Sequence, residues 1–352
     1  MNRRPWRPWG APDPEPARRG GEEADDRAPG VIETIQSGYD LLNARPYLIA
    51  VPLALDLALW LGPRLTSPAL FTWLARWPGR TADGADLAQA LRERGASAEV
   101  TTGIAQLWNG YGVSSLVGTL GRGHVASVVE RPTAAIGPWY VAVLVLLALL
   151  VIGLWLKSLF VAPIAQMVRH EPFDLGTMLR MSWEAAARAA LLFLTAFGML
   201  ALTLVPVAIV AATFVLAGIS GFSLIVLATL IPTVGALFYG AFAMDAIFLE
   251  RVGPMRAIYL SYRVVRRNVW PTAGFVAMTI LISRGVPLAL TRVVQQPVGV
   301  VLAMIAHAYV AAGLATGSLL FYRERRARVV DVRPERTGEI ETEEAAMGRQ
   351  AS

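Results

Sequence analysis

The chain has 352 residues, 55% of them hydrophobic and only 16% charged, with a mean hydropathy of +0.49. Soluble domains carry roughly 25% charge, so this balance argues against an ordinary soluble enzyme. The absence of cysteine excludes a disulfide scaffold, a thiolate metal site and a cysteine nucleophile, and three histidines leave little for a His-rich metal centre.

The formal charge is +6, with a pI near 10.0, and Lys157 is the one lysine among 32 basic residues. A basic chain can mean nucleic acid, so the positions of the arginines decide the matter. Residues 1–30 combine proline, arginine and acidic side chains with almost nothing to bury, and read as a disordered tail without a signal peptide. Residues 31–322 read as an all-α membrane domain, a six-helix bundle. A spanning helix needs about 20 apolar residues, and the predicted spans are 46–62, 138–160, 189–217, 221–249, 270–291 and 298–322. The first is short and carries Asp56. Residues 63–137 form an insertion on the outer side, a small helical cap, and 323–352 form a charged tail.

Of the 32 basic residues, 23 fall before the first span, between 157 and 188, between 251 and 267, or after 322. By the positive-inside rule this places both termini in the cytoplasm of a bacterial inner membrane. The basicity then reflects topology, and nucleic acid is not expected as a partner.

Three segments precede odd-numbered spans with a shared design. VIETIQSGYDLLNARPYL, FDLGTMLRMSWEAAARAALL and GPMRAIYLSYRVVRRNVWP each read as a cytoplasmic amphipathic helix at the membrane interface. Gly38-Tyr39, Ser182-Trp183 and Ser261-Tyr262 occupy matching places, eight residues ahead of the membrane entry. The pattern predicts three repeats of interfacial helix, span out and span back. Any amphipathic helix leading into a span can show the same residue types. In the third segment Arg251, Arg256, Arg263, Arg266 and Arg267 are candidates for anionic lipid headgroups.

Residues 245–275, DAIFLERVGPMRAIYLSYRVVRRNVWPTAGF, resemble a pattern in uncharacterised bacterial six-helix membrane proteins. They are also similar to the membrane domain attached to some glycerophosphodiester phosphodiesterases. The residues that carry the resemblance are Glu250, Gly253, Ala257, Ser261, Tyr262, Arg263 and Trp270. The resemblance implies a fold and a membrane location. No phosphodiesterase domain accompanies it, so that activity is not implied.

Ionisable residues inside spans are costly and often functional. Asp56, Arg284 and His307 fall at similar depth, and form either a proton or anion relay or a structural ion pair, unless Arg284 instead reaches for the outer interface. Asp245 and Glu250 are expected to pair with the arginines of 251–267. Pro206 and Pro232 are helix-kink candidates in two long spans, a pattern that can mark a transport site. No catalytic, nucleotide or metal motif is present, and no cofactor is expected. The sequence therefore reads as a non-enzymatic polytopic membrane protein, a structural, lipid-interacting or accessory component with protein partners or a homo-oligomeric state open. The alternative is a small-solute or lipid transporter working through Asp56, Arg284 and His307.

Overall fold

A computed structural model describes residues 29–331, apart from 77–84, 98, 101–102, 104, 107–113, 127–131, 172–173 and 217–221. The acidic C-terminal run and most of the N-terminal tail lie outside the described residues. The described residues are mostly helical, and among them there is one two-stranded parallel sheet. Among the described residues five helices are long and apolar enough to cross a membrane, and six if one bent pair counts as a single span.

The bent pair comes first. Helix α1 (Val31–Asn43) meets a 3-10 turn (Pro46–Ile49) and α2 (Ala50–Leu61) at an angle of 101°. Strand β1 (Arg64–Thr66), α3 (Pro68–Leu74), α4 (Ala85–Ser97), α5 (Leu116–Leu120) and β2 (Thr133–Ala135) make up the inserted segment. β1 pairs with β2, so the exit of α2 is tied to the approach to α6 (Trp139–Val168). There follow α7 (Leu175–Leu216), α8 (Phe222–Tyr239), α9 (Ala243–Glu250), α10 (Pro254–Arg267), α11 (Val269–Leu290) and α12 (Pro297–Asp331).

The three segments predicted as interfacial helices dock in a common way. Each runs along the preceding return helix and presents its small residue to it. Gly38 of α1 packs on Gly313 and Gly317 of α12, where an added methyl would lie 2.7 Å from the Gly317 nitrogen. The Ser182 hydroxyl of α7 reaches the Ser158 carbonyl of α6 at 3.4 Å. Ser261 of α10 donates to the Tyr239 carbonyl at 2.7 Å and accepts from the Phe242 amide at 3.1 Å. Helix 1 closes on helix 12, so the three contacts follow one another around the bundle.

What differs is the exit from each segment. Asn43 and Pro46 end α1, and Asn268 with Pro271 separates α10 from α11. Between Trp183 and Leu191 the chain has only good helix formers, Glu-Ala-Ala-Ala-Arg-Ala-Ala. Glu184 also pairs with Arg180 and Arg188 one turn away on either side, each at 3.3 Å. The second segment therefore runs without a break into its span, giving one helix of 42 residues. Pro206 and Pro232 lie inside α7 and α8, and a break at Gly240–Phe242 separates α8 from α9. The Ser261 hydroxyl bridges that gap, returning partners to the backbone groups the break frees.

The core has two parts. The larger lies where α6, α9, α10 and α12 meet, with Phe242, Phe275 and Phe321 stacked at its centre. The smaller joins Leu55, Leu59 and Trp60 of α2 with Leu116 and Val117 of α5 and Val300 and Met304 of α12. The inserted segment thus buries its apolar residues against the spans.

Candidate functional site

Asp56 is fully buried on α2, and its carboxyl oxygens accept three hydrogen bonds from the inserted segment. Ser115 Oγ donates to Oδ1 at 2.6 Å, the Val117 amide to Oδ1 at 3.2 Å and the Leu116 amide to Oδ2 at 3.2 Å. Ser115 Oγ in turn accepts from the Gly118 amide at 3.0 Å. The first turn of α5 would otherwise bring unsatisfied amides into the protein interior, and Asp56 with Ser115 caps it. One residue earlier, Ser114 Oγ lies 2.9 Å from Nε2 of the buried His307 on α12. Trp60 Nε1 donates to the Ala126 carbonyl at 2.9 Å and closes the same region from the other side.

Asp56 and His307 are therefore linked through a serine pair. Arg284 does not join them. It lies exposed on α11 and makes no ion pair with Asp56. The expected three-residue grouping is corrected on this point. The backbone and hydroxyl donors of 115–117 occupy the Asp56 oxygens, so no guanidinium is needed there.

At the other end of the bundle the polar contacts join the return helices α6, α9 and α12. Asp245 Oδ2 accepts from Ser318 Oγ at 2.6 Å and sits within electrostatic reach of the buried Lys157. Glu250 Oε1 accepts from Tyr322 Oη at 2.5 Å and Arg326 Nε at 2.9 Å. The expected pairing of these two acids with the arginines of 251–267 is overturned. α10 turns its apolar side, Ala257, Leu260 and Val264, into the core, which points its arginines away from α9.

Arginines also finish the helix ends here. Arg169 Nη1 donates to the Phe248 carbonyl at 2.9 Å and the Leu249 carbonyl at 3.4 Å, while Nη2 donates to Glu171 at 2.9 Å. Arg323 donates to the Val168 carbonyl at the end of α6. Cations are favoured at such C-terminal carbonyls by the helix dipole. Arg251, in a left-handed conformation after α9, shares Glu171 with Arg169 at 3.2 Å. Burial first, and the Arg251 charge second, push the Arg169 guanidinium below the usual arginine range.

The outward side of α10 carries the remaining lipid-headgroup candidates. Arg256, Arg266 and Arg267 are exposed and Arg263 is half-buried. They interleave with Met255, Tyr259 and Tyr262, all exposed, and Trp270 just beyond is 86% exposed. The Arg263 guanidinium lies over the Tyr259 ring at 5.8 Å, and that of Arg266 over Tyr262 at 6.0 Å. Mixed aromatic and basic side chains on one helix face suit a membrane–water boundary.

Sequence reasoning missed Lys157, Ser318, Tyr322 and the Ser114–Ser115 pair. Lys157 alone carried a usable signal, as the single lysine set in the apolar run of α6. Comparison with protein-family models, curated proteins and solved structures finds no match. The class rests on the fold itself: a helical chain whose five to six apolar helices are consistent with a multi-pass membrane protein.

Proposed function

We propose that this chain is a multi-pass protein of a bacterial inner membrane, with both termini in the cytoplasm. In this reading it is a structural or accessory component whose cytoplasmic face binds anionic lipid headgroups. The observation that carries the reading is the outward face of α10, where Arg256, Arg263, Arg266 and Arg267 alternate with Met255, Tyr259 and Tyr262. The opposite face of the same helix is locked into the core through Ala257, Leu260, Ser261 and Val264. A basic surface held rigid in this way gives lipid phosphates fixed partners. The motif at 245–275, with its resemblance to six-helix membrane domains, supports the same reading.

Each arginine near an anionic membrane surface contributes about 1 kcal/mol. Arg256→Gln, Arg263→Gln and Arg266→Gln together should then weaken the preference for anionic lipid about 100-fold, at about 1.4 kcal/mol per tenfold. The measurement is native mass spectrometry of detergent-released protein, with phosphatidylglycerol competing against phosphatidylcholine. Equal retention of both lipids by the unaltered protein would remove the proposal. The transport alternative draws no support from Arg284, which stands apart from Asp56.

A further inference from the structure

The cluster around Met181 holds more hydrogen-bond donors than good acceptors. Gln166 Nε2, Arg169 Nη2 and Arg251 Nη2 converge on the Met181 sulfur at 3.7, 3.4 and 3.3 Å. A thioether is a weak acceptor, and three donors, two of them on guanidinium groups, share this one. Glu171 is the one carboxylate that bonds to both arginines. Arg169 Nε is buried without any acceptor. Arg169 and Gln166 are held firmly, the first by its bonds to the end of α9 and the second by burial on α6. Arg251 and Glu171 form the open edge, with side chains 46% and 37% exposed.

We infer that Arg169 and Arg251, with Gln166 behind them, form a binding site for a phosphate group. Phosphate oxygens accept from guanidinium forks far better than a thioether does. Met181 is unbranched and can swing aside, while Glu171 holds the place that the anion takes. Arg323 approaches the same end of the bundle through its bond to Val168 and adds to the positive field there, while the Arg326 charge is paired with Glu250. Capping of α9 alone would need only the Nη1 contacts of Arg169. It leaves Arg169 Nε without an acceptor, and beyond their shared bond to Glu171 the two Nη2 groups meet only a sulfur.

The phosphate is either a lipid headgroup or free in solution. In the first case the site deepens the headgroup reading above and rests on it, and in the second it stands alone. The test titrates inorganic phosphate into the full-length protein, in nanodiscs of phosphatidylcholine and of phosphatidylglycerol, with potassium chloride matched for ionic strength. The thermal midpoint should rise with phosphate and not with chloride. Arg251→Gln should weaken the response about tenfold, and Glu171→Gln, which removes the competing carboxylate, should strengthen it at least threefold. A response blunted in phosphatidylglycerol assigns the site to lipid, and an equal response in both discs assigns it to free phosphate. The triple α10 variant should leave the phosphate response intact, which separates this site from the surface described above. No response in the unaltered protein, or Arg251→Gln and Glu171→Gln both matching it, would overturn the inference.

Discussion

Gly38 and Gly317 touch backbone to backbone. A methyl group on Gly38 would stand 2.7 Å from the Gly317 nitrogen and 2.9 Å from its Cα and from the Gly313 carbonyl oxygen. Those atoms belong to a helix and cannot yield. Gly38→Ala should therefore cost about 3 kcal/mol despite the better helix propensity of alanine, and should loosen α1 from α12. Gly274→Ala is the control, because its nearest neighbour is the Val31 side chain at 3.7 Å. Thermal unfolding in detergent and amide exchange over Val31–Asn43 would measure both. Equal stability of the two variants would show that the glycine contact is not limiting.

The serines at the equivalent positions should differ from each other. Ser261→Ala strips the bridge between the Tyr239 carbonyl and the Phe242 amide, leaving two buried backbone groups at a helix break. The expected loss is about 2 kcal/mol. Ser182 bonds to the Met178 carbonyl of its own helix at 2.8 Å and only weakly to Ser158. Ser182→Ala should cost well under half as much, as judged by the unfolding midpoints of the two variants.

Asp56 is placed to hold the inserted segment in the bundle. Asp56→Ala would strand the Ser115 hydroxyl and the Leu116 and Val117 amides in a buried site, at about 3 kcal/mol or more in total. Asp56→Asn should fall between, since its carbonyl oxygen still accepts while its amide group faces a donor. Amide exchange of residues 114–120 should accelerate in that order. Unchanged protection in Asp56→Ala would show that α5 stays seated through its apolar contacts alone.

The long apolar helices were legible because apolar length is a one-dimensional property. The three docking segments were legible for the same reason, since a small residue and an aromatic recur ahead of each membrane entry. The partners were not. Periodicity tells which face of α9 is buried without telling that Asp245 meets Ser318, 73 positions away. The Asp56 site was hidden because its donors come from a Gly- and Ser-rich stretch whose apolar residues, Leu116 and Val117, are too few to mark a buried turn of helix. Charge counting placed Arg251 with the other arginines of its segment. A left-handed backbone turn directs it to Glu171 instead.

Asp174 caps α7 from outside the membrane-spanning stretch, accepting from the Thr177 amide at 2.7 Å. Its hydrogen bonds with Thr177, side chain first and backbone second, hold its carboxyl below the usual range. A depressed carboxyl contributes stability above its unfolded value of about 3.9, and loses it as pH falls through the lower folded value. The first turn of α7 should therefore fray only in strong acid, and Asp174→Ala should fray it at neutral pH. Amide exchange at Thr177 followed against pH is the measurement. An acid-independent rate would rule the cap out.

Whether α1 and α2 together cross the membrane is decided by levels along α12. Thr34 of α1 bonds to Glu324, whereas the Ser114 neighbouring the Asp56 site meets His307. Those two contacts lie seventeen residues apart on one helix, or about 26 Å at 1.5 Å per residue, close to the roughly 30 Å thickness of the hydrocarbon layer. Asn43, at the end of α1, already meets Tyr309, so α1 covers most of that depth and α2 carries the chain on to Asp56, which favours a crossing over a re-entrant loop. The protein has no cysteine, so single cysteines report accessibility without background. In intact cells, Arg92→Cys and Arg292→Cys should react with a membrane-impermeant maleimide, while Ile32→Cys and Arg256→Cys should react only after permeabilisation. Labelling of Ile32→Cys from the same side as Arg92→Cys would make the bent pair a re-entrant loop and reduce the crossings to five.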